Sequence, residues 1–307
     1  MNAIQRKLSL VIIIVLAIGN LSISVAQEKN DTLYIKQDLS VLNDRNGEIV
    51  EQNQAKVASE FKDKIDFHKI RYLSDGLEVV GFIFKPKNLN SKLPVLIFNR
   101  GGNREYGKLS SKLFKYLSFL ASNNYVVLAS QYRGNDGGQG REQFGGTDIN
   151  DVLDLIPLAK SLQFTDPNNI FMLGFSRGGL MTYLAIKYDA PINAAAVVGG
   201  ITDLWRWYGE RSGVRITLGQ LVGLDKKEYD KRSAVHWPEK INVPILILHG
   251  ARDGRVSVQQ AKELSKKLDE LGKEHEFVIF PTGNHSIGNY KPERNAKIFE
   301  WFEKYKK

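Results

Sequence analysis

The fold follows most directly from one segment, Gly174-Phe175-Ser176-Arg177-Gly178-Gly179. An apolar run at residues 170–173 comes directly before it, and a helical pattern follows over residues 178–188. This order predicts a strand, a tight turn and a helix, with the serine exposed at the turn. Glycines two residues before and two after the serine let neighbouring backbone approach where a Cβ would clash. Ser176 is therefore a candidate nucleophile.

Short apolar runs alternate with helical periods along most of the chain. They predict eight strands, at residues 65–73, 77–84, 95–98, 125–130, 170–173, 194–198, 245–249 and 276–280. Amphipathic stripes between the later strands predict helices. Such alternation indicates an α/β domain with a mostly parallel sheet covered by helices on both faces. Pro157 lies inside the helix predicted from about Asp148 and should kink or break it.

Residues 199–241, which we call the lid segment, show neither a strand period nor a helix period. They contain a concentration of aromatic side chains: Trp205, Trp207, Tyr208 and Trp237. A long irregular excursion inside a compact α/β domain is more often a lid or a pocket wall than a plain connection. We predict a lid or pocket wall, with a plain connection as the alternative.

The first 26 residues have the pattern of a secretory signal peptide. Arg6 and Lys7 precede an uncharged apolar run at residues 8–18, and Ser24-Val25-Ala26 fits a signal peptidase site. The alternative is an uncleaved membrane anchor, although the run is shorter than the ~20 residues that a span needs. We expect export to the periplasm or the medium, without stable membrane insertion after cleavage. An N-terminal arm at residues 27–64 and one catalytic domain at residues 65–307 would follow.

The cysteine content and the charge of the chain limit the kinds of chemistry and of binding partner that we expect. The chain has 307 residues, no cysteine and a formal net charge of +9. The absence of cysteine excludes thiol chemistry and cysteine-based metal sites. A basic balance can indicate nucleic acid, but the lysines are spread among carboxylates and form no cluster interleaved with aromatic residues. We therefore expect no nucleic-acid partner.

A nucleophilic serine needs a base and an acid that orients the base. Asp253 follows the seventh predicted strand and His285 the eighth, so both should meet Ser176 at the carboxyl edge of the sheet. Asp253 could instead only cap the helix that begins near Val256. His285 is favoured over the other four histidines by its position: His68 lies in an early strand, His236 in the lid segment, His249 at a strand end where it should fill core space, and His275 near an exposed strand end.

The chain order Ser, Asp, His is that of the α/β-hydrolase fold, which predicts where the oxyanion donors lie. One donor should be the backbone N–H of Arg177, next after the nucleophile. Another should come from the loop after the third strand, residues 99–103, which includes Arg100 and Gly101. We call these residues the oxyanion loop. Its glycines would let the backbone approach a substrate, although they also fit a simple turn.

With these residues in view, the sequence resembles the catalytic domain of the prolyl oligopeptidase family over residues 65–307, particularly its dipeptidyl-peptidase and acylaminoacyl-peptidase branches. The motifs that carry the resemblance are Tyr132-Arg133-Gly134 with the glycine-rich run to Gly146, the segment around Ser176, His249-Gly250 with Asp253, Arg255 and Val256 ahead of Gln260-Ala261, and the His285 loop.

The resemblance implies that Trp205, Trp207 and Tyr208 form the hydrophobic pocket on the acyl side of the scissile bond. It also puts Arg100 where several members have an oxyanion-stabilising tyrosine or a histidine. The sequence departs from the family at Arg100 and at Ser286, which replaces a common glycine, and we expect none of the β-propeller that larger members have. We find no acidic pair that could hold a free amino terminus, so dipeptidyl specificity is not implied.

Taken together, the residues and the resemblance predict an exported serine hydrolase that cleaves amide bonds of short peptides through an acyl-enzyme. One alternative is a carboxylesterase acting on small acyl esters. Another, of a different class, is a catalytically silent binding protein with the same fold. We expect no metal and no organic cofactor, because the triad and the oxyanion donors suffice for the chemistry. The oligomeric state stays open.

Overall fold

The computed structural model describes residues 23–27, 33–37 and 45–307. The chain divides into two units, Met1–Asp44 and Arg45–Lys307. The first contains an antiparallel pair of strands, β1 (Ile23–Gln27) and β2 (Leu33–Gln37). Most of the predicted signal peptide, residues 1–22, lies outside the described residues, so export stays a prediction.

The second unit is built on a nine-stranded sheet. Its strands are β3 (Ile49–Ala55), β4 (Ile65–Ser74), β5 (Leu77–Pro86), β6 (Leu93–Asn99), β7 (Val126–Ser130), β8 (Thr165–Phe175), β9 (Ala194–Val198), β10 (Ile245–Gly250) and β11 (His275–Phe280). Their spatial order is β11-β10-β9-β8-β6-β7-β5-β4-β3. The pairs among β6 to β11 are parallel, whereas β3, β4 and β5 pair antiparallel. All eight predicted strands are present.

Helices cover both faces of this sheet. They are α1 (Ser111–Ala121), α2 (Asn150–Leu153), α3 (Leu155–Ser161), α4 (Arg177–Lys187), α5 (Leu204–Glu210), α6 (Arg215–Leu221), α7 (Lys226–Lys231), α8 (Val258–Glu270) and α9 (Lys291–Lys304). Successive residues of β6 face opposite sides, since Ile97 belongs to one buried cluster and Phe98 to the other. In the part of the chain described here, no helix has the length and apolar content needed to cross a membrane.

Two features of the domain have local chemical causes: the edge strand β3 and the break between α2 and α3. The edge strand β3 extends the domain into the segment predicted as an arm, and its middle residues are exposed, so no apolar alternation marks it in the sequence. The helix predicted from Asp148 is broken at Asp154, between α2 and α3. Pro157 follows three residues later and has no N–H to bond the carbonyl four residues before it. The predicted break is therefore present.

The lid segment contains three short helices, α5, α6 and α7, and short 3-10 turns between β9 and β10. Each of these helices has only six or seven residues. An apolar stripe needs a longer helix to become visible as a period, which explains why the sequence shows none here.

Candidate active site

Ser176 occupies the turn between β8 and α4. Its φ of 57° and ψ of −119° lie outside the regions that most side chains adopt. A Cβ at Gly174 would lie 2.3 Å from the carbonyl oxygen of Gly178, and a Cβ at Gly178 would lie 1.8 Å from that of Asn99. Both glycines are therefore required by close backbone approach, as the sequence predicted.

Asp253 and His285 lie in the loops that follow β10 and β11. His285 Nδ1 is 2.8 Å from Asp253 Oδ2. The other carboxylate oxygen, Oδ1, accepts the N–H groups of Arg255 at 2.8 Å and Val256 at 3.0 Å. Asp253 thus fixes the turn before α8 and also holds the imidazole. The N-cap of α8 is Ser257, so Asp253 does not cap that helix.

His249 is a site residue that sequence reasoning missed. It was expected only to fill core space, and it is indeed fully buried. Its Nε2, however, lies 3.2 Å from Asp253 Oδ2 and 3.0 Å from the carbonyl oxygen of Val256. A single N–H on Nε2 can be shared by both acceptors. The signal available in the sequence was its position at a strand end, four residues before Asp253.

Two histidines therefore contact one carboxylate. Burial by itself would raise the pKa of Asp253, but the hydrogen bonds from His249 and His285 outweigh burial and hold that pKa well below its usual range. The Asp253 carboxylate consequently stays ionised at neutral pH.

Ser176 and His285 line one cavity of about 730 Å³. The structure thus brings the three predicted side chains to the carboxyl ends of β8, β10 and β11, where His285 contacts the Asp253 carboxylate and lines the cavity together with Ser176. Among the described residues, no group of three or more His, Asp or Glu side chains is arranged to hold a metal ion.

The oxyanion loop borders the same cavity through Gly101 and Gly102. A Cβ at Gly101 would lie 3.2 Å from the Cβ of Ser176, so this backbone passes directly beside the serine. Within residues 45–307, the N–H groups of Gly101 and Gly102 have no backbone acceptor. Arg177 is the first residue of α4 and also lines the cavity. The predicted donors thus border the cavity beside Ser176, and their role in binding an oxyanion stays a prediction.

The side chain of Arg100 does not match its predicted role. It is fully buried, and its guanidinium donates to the carbonyl oxygens of Gln131 at 2.9 Å and Gly101 at 3.1 Å. Burial, followed by the nearby charge of Arg177, lowers the pKa of Arg100 to about 10. Because the guanidinium is held behind the loop, Arg100 supports the loop and does not reach an oxyanion.

The side chain of Arg177 is buried in a network of charges behind the turn. It donates to Glu142 Oε2 at 2.7 Å and to Asp148 Oδ2 at 2.6 Å. Glu142 Oε1 also accepts the backbone N–H of Arg104, directly after the oxyanion loop, at 2.6 Å. Arg100 Nη2 lies 3.9 Å from Glu142 Oε2, so the network contains two cations, Arg100 and Arg177, and two carboxylates, those of Glu142 and Asp148. The network ties the turn of the serine to the oxyanion loop.

The three aromatic residues predicted for the pocket separate into two groups. Trp207 lines the cavity and stacks with Phe144 at 5.9 Å between ring centroids. Trp205 and Tyr208 stack on each other at 5.4 Å and both pack edge-on against Tyr229 inside the lid segment. Residues three apart share one face of a helix, so α5 turns Trp205 and Tyr208 away from Trp207. Only Trp207 of the three lines the cavity.

A model of the prolyl oligopeptidase family of peptidases matches residues 111–307. The chain belongs to the prolyl oligopeptidase family. It is 32% identical over 239 residues to the uncharacterized peptidase YtmA of Bacillus subtilis, covering 76% of this chain and 90% of YtmA. It is 26% identical over 260 residues to acylamino-acid-releasing enzyme 1 of Oryza sativa, of which it covers only 33%.

Solved structures show the same fold. The acylaminoacyl peptidase of Pyrococcus horikoshii superposes with a TM-score of 0.69 at 24% identity, over 80% of this chain and 42% of that one. An acetyl xylan esterase from Paenibacillus sp. R4 superposes with a TM-score of 0.67 at 17% identity, over 87% of this chain and 92% of that one. The α/β-hydrolase fold and the resemblance to the prolyl oligopeptidase family are thereby confirmed. Membership also confirms the predicted enzyme class, a serine hydrolase of the peptidase type.

Proposed function

We propose that this prolyl oligopeptidase family member cleaves amide bonds of short peptides, with Ser176 as nucleophile, His285 as general base and Asp253 as the orienting acid. The observation that carries this proposal is the 2.8 Å contact from His285 Nδ1 to Asp253 Oδ2, in a site where His285 and Ser176 share one cavity. With Nδ1 bonded to the carboxylate, Nε2 is the nitrogen left to exchange a proton with the serine.

The first half of the reaction forms the acyl-enzyme. His285 Nε2 takes the proton of the Ser176 hydroxyl as Oγ attacks the carbonyl carbon. The negative charge that develops on the carbonyl oxygen is stabilised by backbone N–H groups of Arg177 and the oxyanion loop. The tetrahedral intermediate collapses, the C–N bond breaks, and His285 gives its proton to the departing amine.

The second half regenerates the enzyme. A water molecule gives a proton to His285 and attacks the acyl carbon of the ester on Ser176. The second tetrahedral intermediate collapses to a carboxylic acid, and Ser176 recovers its proton from the imidazolium. Asp253 stays ionised throughout and stabilises the imidazolium, in agreement with its lowered pKa.

The size and lining of the cavity support short substrates. Its volume of about 730 Å³ lies within the range of sites that hold small ligands. Trp207, Phe144 and Val214 give one wall an apolar surface suited to a side chain on the acyl side. The lid segment contributes Trp207, Arg211, Gly213, Val214 and Thr217 to this lining.

Comparison of amide and ester substrates tests the proposal. We expect turnover of N-acyl dipeptide 4-nitroanilides as well as 4-nitrophenyl acetate, and labelling of Ser176 by a fluorophosphonate probe. Ser176→Ala should lower turnover by up to ~10⁶-fold and abolish labelling. The exposed Ser122 accepts the control substitution Ser122→Ala, which should change neither. Ester turnover without anilide turnover would establish the carboxylesterase alternative, and undiminished activity in Ser176→Ala would show that the nucleophile is misassigned.

We further propose that the enzyme is exported, on the strength of the charged start, the apolar run and the small-x-small pattern in residues 1–26. Expression of the full chain in a bacterial host, followed by fractionation and N-terminal sequencing, tests this directly. A mature protein beginning at Gln27 outside the cytoplasm is expected. A cytoplasmic protein that retains residues 1–26 would contradict the proposal.

A further inference from the structure

Besides Arg177, three cationic residues line the cavity that contains Ser176: Lys112, Arg211 and Arg255. Among the described residues, no carboxylate side chain lines it. Arg177 lines it too, but its guanidinium is buried and bonded to Glu142 and Asp148. The surplus positive charge of the cavity therefore comes from side chains that face solvent.

Of the other three arginines in the lid segment, Arg215 donates only to backbone carbonyl oxygens, and the remaining two have carboxylate partners. Arg206, on α5, bonds Glu210 at 2.6 Å, and Arg232 bonds Glu228 at 2.9 Å. As with Arg215, the described contacts of the Arg211 and Arg255 guanidinium groups are with neutral groups. Arg211 Nη1 donates to the carbonyl oxygen of Gly254 at 3.1 Å, and the Arg255 guanidinium lies over the ring of Tyr106 at 5.7 Å.

The backbone holds Arg255 in a defined position beside the candidate triad. Its N–H donates to Asp253 Oδ1 at 2.8 Å, and its carbonyl oxygen accepts the indole N–H of Trp207 at 2.7 Å. Arg211 is joined to the same loop through Gly254. Both guanidinium groups keep further N–H donors for a ligand, because a guanidinium carries five.

From this arrangement, and building on the proposed function, we propose that the enzyme selects substrates that carry a carboxylate close to the scissile bond, and that Arg211 and Arg255 bind that carboxylate. Arginine pairs with carboxylates through two parallel hydrogen bonds, which gives both affinity and orientation. The same lining disfavours a free ammonium group, since like charges repel. The selected carboxylate is either an acidic side chain or the free carboxyl terminus of a peptide.

Matched substrate pairs separate these sources. For the side chain, N-acetyl-Ala-Glu 4-nitroanilide is compared with its Gln counterpart. For the terminus, cleavage of N-acetyl-Ala-Ala-Ala is compared with cleavage of its C-terminal amide by chromatography. We expect kcat/KM to favour the carboxylate in at least one pair by about tenfold, the size of effect that a hydrogen-bonded charge produces. The pair that responds identifies the source.

The variants Arg211→Gln and Arg255→Gln should reduce this preference to about twofold or less. Arg252→Gln is the matched control, because it removes the same charge from the same loop and Arg252 is exposed and outside the cavity lining. Arg252→Gln should keep the preference for the carboxylate substrate. For the unmodified enzyme, raising the salt concentration should weaken the preference, because exposed charges are screened.

The carboxylate preference can be tested even if the enzyme cleaves no amide bond. If no amide is cleaved, mono-4-nitrophenyl glutarate compared with 4-nitrophenyl glutaramate reports the same carboxylate preference on an ester. Equal kcat/KM within every carboxylate and amide pair would overturn the inference. So would a preference that survives in the double variant Arg211→Gln/Arg255→Gln, or one that Arg252→Gln removes equally well.

Discussion

Glu142→Gln tests whether the buried charges behind the serine hold the site together. The substitution keeps the shape of the side chain but removes its charge, leaving Arg177 and Arg100 opposite Asp148 alone. Glu142 is 2.7 Å from Arg177 and its side chain is only 4% exposed, so water cannot replace the lost partner. Removing one member of a buried ion pair costs ~3–5 kcal/mol.

Two contacts limit the loss of stability in Glu142→Gln. Arg177 keeps Asp148 at 2.6 Å, and the amide oxygen of glutamine can still accept the N–H of Arg104. We therefore expect the lower end of that range, about 3 kcal/mol, which for a domain of this size lowers Tm by about 6 °C or more. Because the same carboxylate anchors the end of the oxyanion loop, kcat should also fall by about 10- to 100-fold.

Thermal unfolding and steady-state kinetics on one protein preparation measure both effects. The control is Glu105→Gln, whose exposed carboxylate pairs with Lys108 at 2.6 Å and should contribute under ~1 kcal/mol. An unchanged Tm and kcat in Glu142→Gln, or an equal loss in the control, would refute the reasoning.

Three further predictions concern other buried contacts. His249→Phe removes one donor to Asp253 and should lower kcat/KM by about tenfold at unchanged KM, so a changed KM with constant kcat would contradict a role through the carboxylate. Gly199→Ala should lower kcat by about 100-fold, because the added Cβ would lie 2.6 Å from the carbonyl oxygen of His285. An unchanged kcat would show that the His285 loop can move to accommodate the methyl group without a loss of activity. Burial raises the pKa of Asp154 to about 7, so the folded state keeps a proton that the unfolded chain loses above its ordinary pKa of 3.8. Through Asp154, stability should then fall by up to about 4 kcal/mol from pH 4 to pH 7 and level off above. Denaturant unfolding of Asp154→Asn should show a smaller fall, which leaves the share of Asp151, whose pKa burial raises to about 6.

The strands and the turn of the serine were predictable because their signals are local. Most of the eight predicted strands are apolar runs bounded by polar or turn residues, and the strand at residues 65–73 alternates between apolar and polar residues. The glycines around Ser176 follow from the geometry of the turn. The edge strand β3 was not predictable in this way, because its exposed middle residues carry no alternation. The pattern of a sequence records burial, and β3 is largely exposed, whereas the other edge strand, β11, is mostly half-buried and was predicted.

The errors at the site have a different cause. Trp205, Trp207 and Tyr208 lie within four positions of each other, and only the orientation of α5 decides which of them faces the cavity. The buried position of Arg100 depends on the carbonyl of Gln131, which lies 31 positions away along the chain. Contacts of this kind join residues that are distant in sequence and leave no periodic signal.

The distribution of positive charge explains why the net charge alone says so little about function. A buried cation must be paired, because its desolvation is otherwise prohibitive, and Arg177 accordingly meets two carboxylates behind the turn of the serine. Arg211 and Arg255 face the solvent-filled cavity, where hydration stabilises them without a carboxylate partner. A substrate that displaces this water must supply the compensating charge itself. Two arginines at the rim can therefore act on specificity, whereas a buried arginine of the same formal charge can act only on structure.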